Sequence, residues 1–121
     1  MLKVWGRADS SNVQAVMWCI GELGLDYKRF DFGHRFGGTD SEVFGTMNPN
    51  RTIPVLQEED DAPIWESGAI LRYLARQYGS NAFWPNEGAK RALVDQWAEW
   101  AKINIAMNFT GPVFWLSLIH I

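Results

Sequence analysis

The chain is poor in the residues that most often carry covalent or metal chemistry. Its 121 residues contain one cysteine, Cys19, and two histidines, His34 and His120. A single cysteine excludes an internal disulfide and a zinc site of several cysteines, and its apolar neighbours favour a small core residue over a reactive thiol. No spaced set of histidine, cysteine and carboxylate is present, so we expect no metal. A serine hydrolase is disfavoured because no G-x-S-x-G segment occurs.

Long apolar runs and clusters of one charge are also missing. Lysine and arginine are scattered and the net charge is -3, which argues against nucleic acid or an anionic membrane as partner. The N-terminus has the pattern of a strand rather than of a signal peptide, and no segment is long and apolar enough to span a bilayer. We therefore expect a cytoplasmic globular protein that binds a small molecule, with a composition of 47% apolar residues that supports a core.

Apolar periodicity predicts alternating strands and helices in the first 80 residues. Strand patterns cover Leu2–Gly6, Tyr27–Phe32, Ile53–Gln57 and Ala62–Trp65, the last two forming a hairpin. Helical spacing predicts helices from Val13 to Leu23 and from Ser67 to Tyr78, each followed by a glycine, and a short irregular helix over Asp40–Met47. The predicted order is β-α-β-α-β-β-α, which is an α/β fold.

A second unit is predicted to begin after a linker at residues 81–88. Residues 89 to about 108 are rich in helix formers and are predicted to form one long helix, and only residues 113–121 follow Thr110-Gly111-Pro112. One helix can bury its apolar stripe only against partners, so residues 89–121 are expected to be the start of an all-helical domain in a truncated chain. The last residues, 116–121, do not continue the pattern, so the sequence leaves open whether they belong to the parent protein.

Pro54 stands in strand-like surroundings, where a proline removes a backbone donor. A cis Ile53-Pro54 bond would turn the chain and leave the Ile53 backbone able to pair with an extended peptide. An ordinary proline at the edge of a sheet explains the sequence equally well. Both alternatives stay open at this point.

Glu66 and Ser67 stand at the predicted start of a helix, where free N–H groups and the helix dipole favour a carboxylate. Glu66 could bind an amine at the same time, so the pair could hold an amino-acid head group. Taken alone, an ordinary helix cap is the simpler interpretation.

The predicted start of the first helix carries three polar residues, Ser10, Ser11 and Asn12. Ser11 and Gln14 have the spacing of a capping box, which predicts a structural role for Ser11. Ser10 would then point away from the helix, and its hydroxyl could donate a hydrogen bond to a bound thiolate and lower the thiol pKa.

These features in combination resemble the glutathione transferases. The stretches Asn48-Pro49-Asn50-Arg51-Thr52-Ile53-Pro54-Val55-Leu56 and Trp65-Glu66-Ser67-Gly68-Ala69-Ile70-Leu71-Arg72-Tyr73-Leu74 are similar to that family's two most recognisable segments. The resemblance covers the chain up to about Pro112. It implies a thioredoxin-like N-terminal domain with the glutathione site, a helical C-terminal domain and a homodimeric parent protein. The sequence Ser10-Ser11-Asn12-Val13 resembles the serine-type members of theta, beta or nu kinds.

The resemblance also implies a role for each candidate residue. Ser10 would activate the thiol of glutathione, with Ser11 as its rival and Asn12 assisting, so that glutathione as co-substrate is conjugated to a small electrophile. Two alternatives remain: a transferase-like interaction or regulatory module, and a glutathione-dependent disulfide reductase. The implied ligand contacts are Ile53 and Pro54 at the cysteinyl backbone, Glu66 and Ser67 at the γ-glutamyl end, and Arg51 or His34 at the glycyl carboxylate.

Overall fold

The computed structural model describes residues 1–115, so the expectation about residues 116–121 lies outside the described residues. The chain divides into two compact units, the first spanning Met1–Gly79 and the second beginning at Ser80. Each unit is described by itself below.

The first unit is a four-stranded sheet with three helices. The strand order is β2-β1-β3-β4, with β1 parallel to β2 and antiparallel to β3, and β3 antiparallel to β4. This arrangement confirms the predicted β-α-β-α-β-β-α order and the thioredoxin-like fold. The elements are β1 (Leu2–Trp5), α1 (Ser11–Glu22), β2 (Tyr27–Phe30), a 3₁₀ turn (His34–Phe36), α2 (Glu42–Met47), β3 (Val55–Glu58), β4 (Ile64–Trp65) and α3 (Ser67–Tyr78).

The core lies between the sheet and helices α1 and α3. Successive side chains of β1 alternate between buried and half-buried, as expected for a strand that packs helices on one face. Cys19 belongs to this core, and burial raises the pKa of its thiol, so the predicted structural role is confirmed. The cluster comprises Leu2, Val4, Val16, Cys19, Ile20, Leu56, Ile70 and Leu74.

The second unit begins with turns and irregular structure at residues 80–87 and is helical from residue 88 to residue 115. Helix α4 (Gly88–Trp100) begins at Glu87, whose carboxylate accepts hydrogen bonds from Ala89 N at 3.0 Å and Lys90 N at 3.1 Å. A π-helical segment, Ala101–Trp115, follows directly and contains Pro112. Helical structure therefore continues beyond residue 108, where the predicted helix ended. No helix within residues 1–115 has the length and hydropathy needed to cross a membrane.

Candidate functional site

The predicted site residues lie in segments that adjoin one end of the sheet. A row of paired residues, Phe30, Trp5, Val55 and Trp65, crosses all four strands there. The chain segments that carry the candidate residues are direct continuations of these strands. Ser10 follows β1, His34 follows β2, Ile53 and Pro54 precede β3, and Glu66 and Ser67 follow β4. The topology therefore brings residues distant in sequence to a single edge.

Two glycines allow the segments at this edge to approach each other closely. A Cβ on Gly6 would lie 2.5 Å from Val13 Cγ2 and 3.5 Å from Ile53 Cβ. A Cβ on Gly33, whose φ is +95°, would lie 2.8 Å from Ile53 Cδ1. Ile53 therefore contacts both the end of β1 and the loop after β2, and these positions need glycine for close approach.

The peptide bond between Ile53 and Pro54 is cis, which decides between the two alternatives that the sequence left open. Pro54 is buried and Ile53 is half-buried. The ladder between β1 and β3 begins only at Val55. Ile53 thus lies just outside the sheet, at the edge where an extended peptide could add to it.

Asn48 positions this segment, a role that the sequence analysis missed. Its side chain is fully buried; its amide donates to Thr52 O at 2.9 Å and to Thr52 Oγ1 at 3.1 Å. Its side-chain oxygen accepts from Asn50 N at 2.9 Å. A buried polar side chain with its donors and acceptor satisfied in this way fixes a turn. The only sequence signal was the Asn-Pro-Asn breaker, which predicts a turn and not a buried amide.

Ser10, and not Ser11, caps helix α1. Its hydroxyl oxygen accepts from Val13 N at 3.4 Å and its carbonyl accepts from Gln14 N at 2.8 Å, while only 6% of the residue is exposed. The capping box predicted for Ser11 is wrong because the helix begins one residue earlier than that pattern requires. Ser11 and Asn12 lie exposed in the first turn.

Glu66 occupies an unusual backbone conformation at the start of α3. Its φ is +74°, in the left-handed region that non-glycine residues rarely adopt and that costs about 1–3 kcal/mol. Its side chain is exposed and makes no capping hydrogen bond within the described residues. Ser67, beside it, is 7% exposed. Strained backbone conformations of this kind are concentrated at binding and active sites of proteins.

The two residues predicted for the glycyl carboxylate lie in different settings. His34 is exposed, begins the 3₁₀ turn and directly follows Gly33, which contacts Ile53. The guanidinium of Arg51 donates from Nη1 to Thr39 O at 2.9 Å and to Ser41 O at 2.7 Å. Arg51 therefore joins the turn before β3 to the loop before α2.

Comparisons with known proteins agree with this architecture. The sequence profile of the glutathione S-transferase N-terminal domain matches residues 1–76. Glutathione S-transferase GstB of Escherichia coli is 42% identical over 112 residues, which cover 92% of this chain and 54% of that protein. A theta class glutathione S-transferase from Xanthomonas axonopodis pv. citri, solved with glutathione bound, is 42% identical with a TM-score of 0.81 and is matched over 87% of this chain and 50% of that chain.

A regulatory protein is also similar. The transcriptional regulator URE2 of Saccharomyces cerevisiae is 31% identical over 84 residues, which cover 64% of this chain and 24% of that protein. The fold comprises a thioredoxin-like domain that is followed in the chain by a helical segment. The chain belongs to the glutathione S-transferase family, and it spans about half the length of GstB.

Proposed function

We propose that the first unit binds glutathione and that the whole protein transfers the glutathione thiolate to a small electrophile. The observation that carries this proposal is the convergence of Ser10, Ile53 and Glu66-Ser67 at one end of the sheet. Relatives named as glutathione S-transferases support it, as does the Xanthomonas structure with glutathione bound. We further propose that the whole protein is a cytoplasmic homodimer.

Glutathione would bind as an extended peptide across this edge. The backbone of Ile53 would pair with its cysteinyl residue, because Ile53 precedes the ladder that begins at Val55. The γ-glutamyl carboxylate would lie at the N-terminus of α3 beside Ser67, and its amine beside Glu66. The glycyl carboxylate would lie toward His34 rather than Arg51, because the Arg51 guanidinium already donates to two carbonyls.

The hydroxyl of Ser10 would stabilise the thiolate. In the cap, its oxygen accepts the Val13 N–H, so its own proton is available to a second partner. The N-terminus of α1 adds a partial positive charge at the same place. Both effects favour the thiolate over the thiol and lower the pKa of bound glutathione. Ser11 and Asn12, in the same turn, are the rival positions.

The test measures the pKa of the bound glutathione thiol by monitoring the ultraviolet absorbance of the thiolate as the pH changes. Ser10→Ala removes the hydroxyl but also the cap, which costs about 1 kcal/mol of stability. Ser10→Gly removes the same hydroxyl at a cost of only a few tenths of a kcal/mol, so it is the matched control for the cap. Both variants should raise the thiol pKa by about one unit, and Ser10→Thr should restore it.

Ser11→Ala and Asn12→Ala test the rival positions in the same assay. They should leave the thiol pKa within a few tenths of a unit, because these side chains do not form the cap. If Ser10→Gly left the thiol pKa unchanged while either of them raised it, the assignment of Ser10 would be wrong.

A regulatory module is the second candidate, favoured by the similarity to URE2. Calorimetric titration with glutathione tests binding itself, and a folded chain that gave no heat of binding would favour a module without the substrate site. Because URE2 has also been solved in complex with glutathione, binding alone does not exclude regulation. Turnover of halide and disulfide substrates by the whole protein would separate conjugation, disulfide reduction and a non-catalytic role.

A further inference from the structure

Two arginines share one carboxylate directly before Ser10. Arg7 Nε lies 3.2 Å from Asp9 Oδ1, and Arg35 Nη1 lies 2.8 Å from Asp9 Oδ2. The hydrogen bond from Arg35 lowers the pKa of the Asp9 carboxyl, so this group is ionised at neutral pH. Two guanidinium groups and one carboxylate leave a net charge of about +1, since arginine stays protonated. We call Arg7, Asp9 and Arg35 the shared-carboxylate cluster.

The shared-carboxylate cluster connects the two loops that border the proposed thiol position. Arg7 N donates to Phe32 O at 2.9 Å, and Ser10 N donates to Arg7 O at 3.3 Å. The Arg7 side chain is 17% exposed, and its Nη1 lies 3.6 Å from the position of a Cβ on Gly33. That position is 2.8 Å from Ile53 Cδ1. The Arg7 guanidinium and the Ile53 side chain therefore both lie close to Gly33.

Neighbouring charges do not cancel this surplus. Arg29 is balanced by Asp31, with Nη1 2.6 Å from Oδ1. The first turn of α1 contains no acidic residue, and its dipole is positive toward Ser10. Glu66, directly before α3, is the residue proposed above for the glutathione amine, and His34 begins the turn that carries Arg35.

We propose that the shared-carboxylate cluster is a positioning unit for the thiol site whose surplus positive charge stabilises the glutathione thiolate bound at Ser10. The inference rests on the proposed function, because the charge needs a bound thiolate to act on. The proposed charge effect comes from residues that are not among the glutathione contacts proposed above.

Two single substitutions separate charge from loop structure. Asp9→Asn and Arg35→Gln both break the ion pair between Asp9 and Arg35, but the first raises the local charge by one unit and the second lowers it by one. Both side chains are more than half exposed, at 55% and 57%, so the variants should fold, which circular dichroism checks. The double variant Asp9→Asn/Arg35→Gln lacks the ion pair but keeps the wild-type net charge.

The readout is the pKa of glutathione bound to the full 121-residue chain, measured by thiolate absorbance. Asp9→Asn should increase the thiolate-to-thiol ratio about threefold and Arg35→Gln should decrease it about threefold, a size expected for one unit charge near a wet surface. The double variant should return to the wild-type value. Because exposed charges are screened, both shifts should shrink as the salt concentration rises toward 1 M.

Three other outcomes overturn the inference. Shifts of the two single variants in the same direction would show that the ion pair acts through loop structure alone, and the absence of any shift would show that the charge does not reach the thiol. In either case wild-type binding with a lowered thiol pKa would leave the proposed function intact. A wild-type chain that did not bind glutathione at all would instead overturn the proposed function and this inference together.

Discussion

Gly6 is packed so closely against helix α1 that a larger residue does not fit there without a shift. It directly follows β1, and a Cβ there would lie 2.5 Å from Val13 Cγ2, a methyl group of a fully buried residue. The Val13 side chain is stiff about χ1, so it can give way only by moving α1. Inserting this methyl group should cost about 1–3 kcal/mol, and the φ of +157° at Gly6 adds about 1 kcal/mol for alanine. We predict that Gly6→Ala destabilises the first unit by about 2–4 kcal/mol.

Gly21 is the matched control because it receives the same substitution on helix α1. A Cβ on Gly21 meets nothing within 4 Å. Alanine is the better helix former by up to about 1 kcal/mol, so Gly21→Ala should leave stability unchanged or raise it slightly. The two variants thus add one identical methyl group, and only Gly6→Ala should lower the free energy of unfolding.

Native-state amide hydrogen exchange of β1 and β3 measures the free energy of unfolding of the first unit alone. Val13→Ala removes the methyl group that the new Cβ would strike, so the double variant Gly6→Ala/Val13→Ala should be less unstable than the sum of the single variants. We expect a coupling energy of about 1–2 kcal/mol. Equal stability of Gly6→Ala and Gly21→Ala, or additivity in the cycle, would refute the close contact between Gly6 and Val13.

Two titrations follow from the structure. Burial and the hydrogen bond to Glu58 raise the pKa of Tyr73 to about 12, from 10.0. In an alkaline spectrophotometric titration, one tyrosine should therefore ionise near pH 12, and this transition should be absent in Tyr73→Phe. The stability that Tyr73 contributes below pH 10 should be lost between pH 10 and 12. Titration of all tyrosines near pH 10 would contradict this. Hydrogen bonds from Ala89 and Lys90 lower the pKa of Glu87, so its contribution to α4 should be present above about pH 4.5 and lost as the pH falls through the lowered value. Circular dichroism should show less acid-induced helix loss in Glu87→Ala than in the wild type, and identical pH profiles would argue against the cap.

The order of strands and helices could be predicted because it depends on local periodicity. Apolar residues alternate along β1 and recur at helical spacing in α1 and α3, and the structure confirms these elements. The segments at Ile53-Pro54 and Glu66-Ser67 were also visible, because a proline near a strand and a carboxylate at a helix start stand out in any sequence.

The start of α1 could not be predicted to the residue. Ser10 and Ser11 are both good caps, and local pattern cannot choose between adjacent candidates. The choice depends on long-range packing, because Val13 lies against Gly6 and this contact fixes the rotation of the helix. The Val13 N–H then donates to the Ser10 hydroxyl. Glu66 is a similar case, because nothing local indicates that a glutamate should adopt a φ of +74°.

Arg51 shows how a correct family resemblance can leave a residue's role open. The sequence offered it as a partner for the glycyl carboxylate, whereas its guanidinium donates to Thr39 O and Ser41 O. A Cβ on Gly45 would lie 2.4 Å from its Nη2, so the group also rests against α2. Arg51→Met keeps most of the side-chain length and removes these hydrogen bonds, which should cost about 1–2 kcal/mol of stability.

A ligand lacking the carboxylate separates the two roles of Arg51. Glutathione whose glycyl carboxylate is esterified loses any ion pair at that end, so a residue that holds the carboxylate should lose its preference for the free acid when it is replaced. We predict that Arg51→Met keeps the wild-type ratio of affinities for glutathione and its ester within about twofold, since the guanidinium faces carbonyl oxygens of its own chain. His34→Ala should reduce that ratio, because His34 begins the exposed turn beside Gly33 and Ile53. If calorimetry showed that Arg51→Met alone abolished the preference, Arg51 would be the carboxylate ligand that the sequence suggested, binding through N–H groups other than those of Nη1.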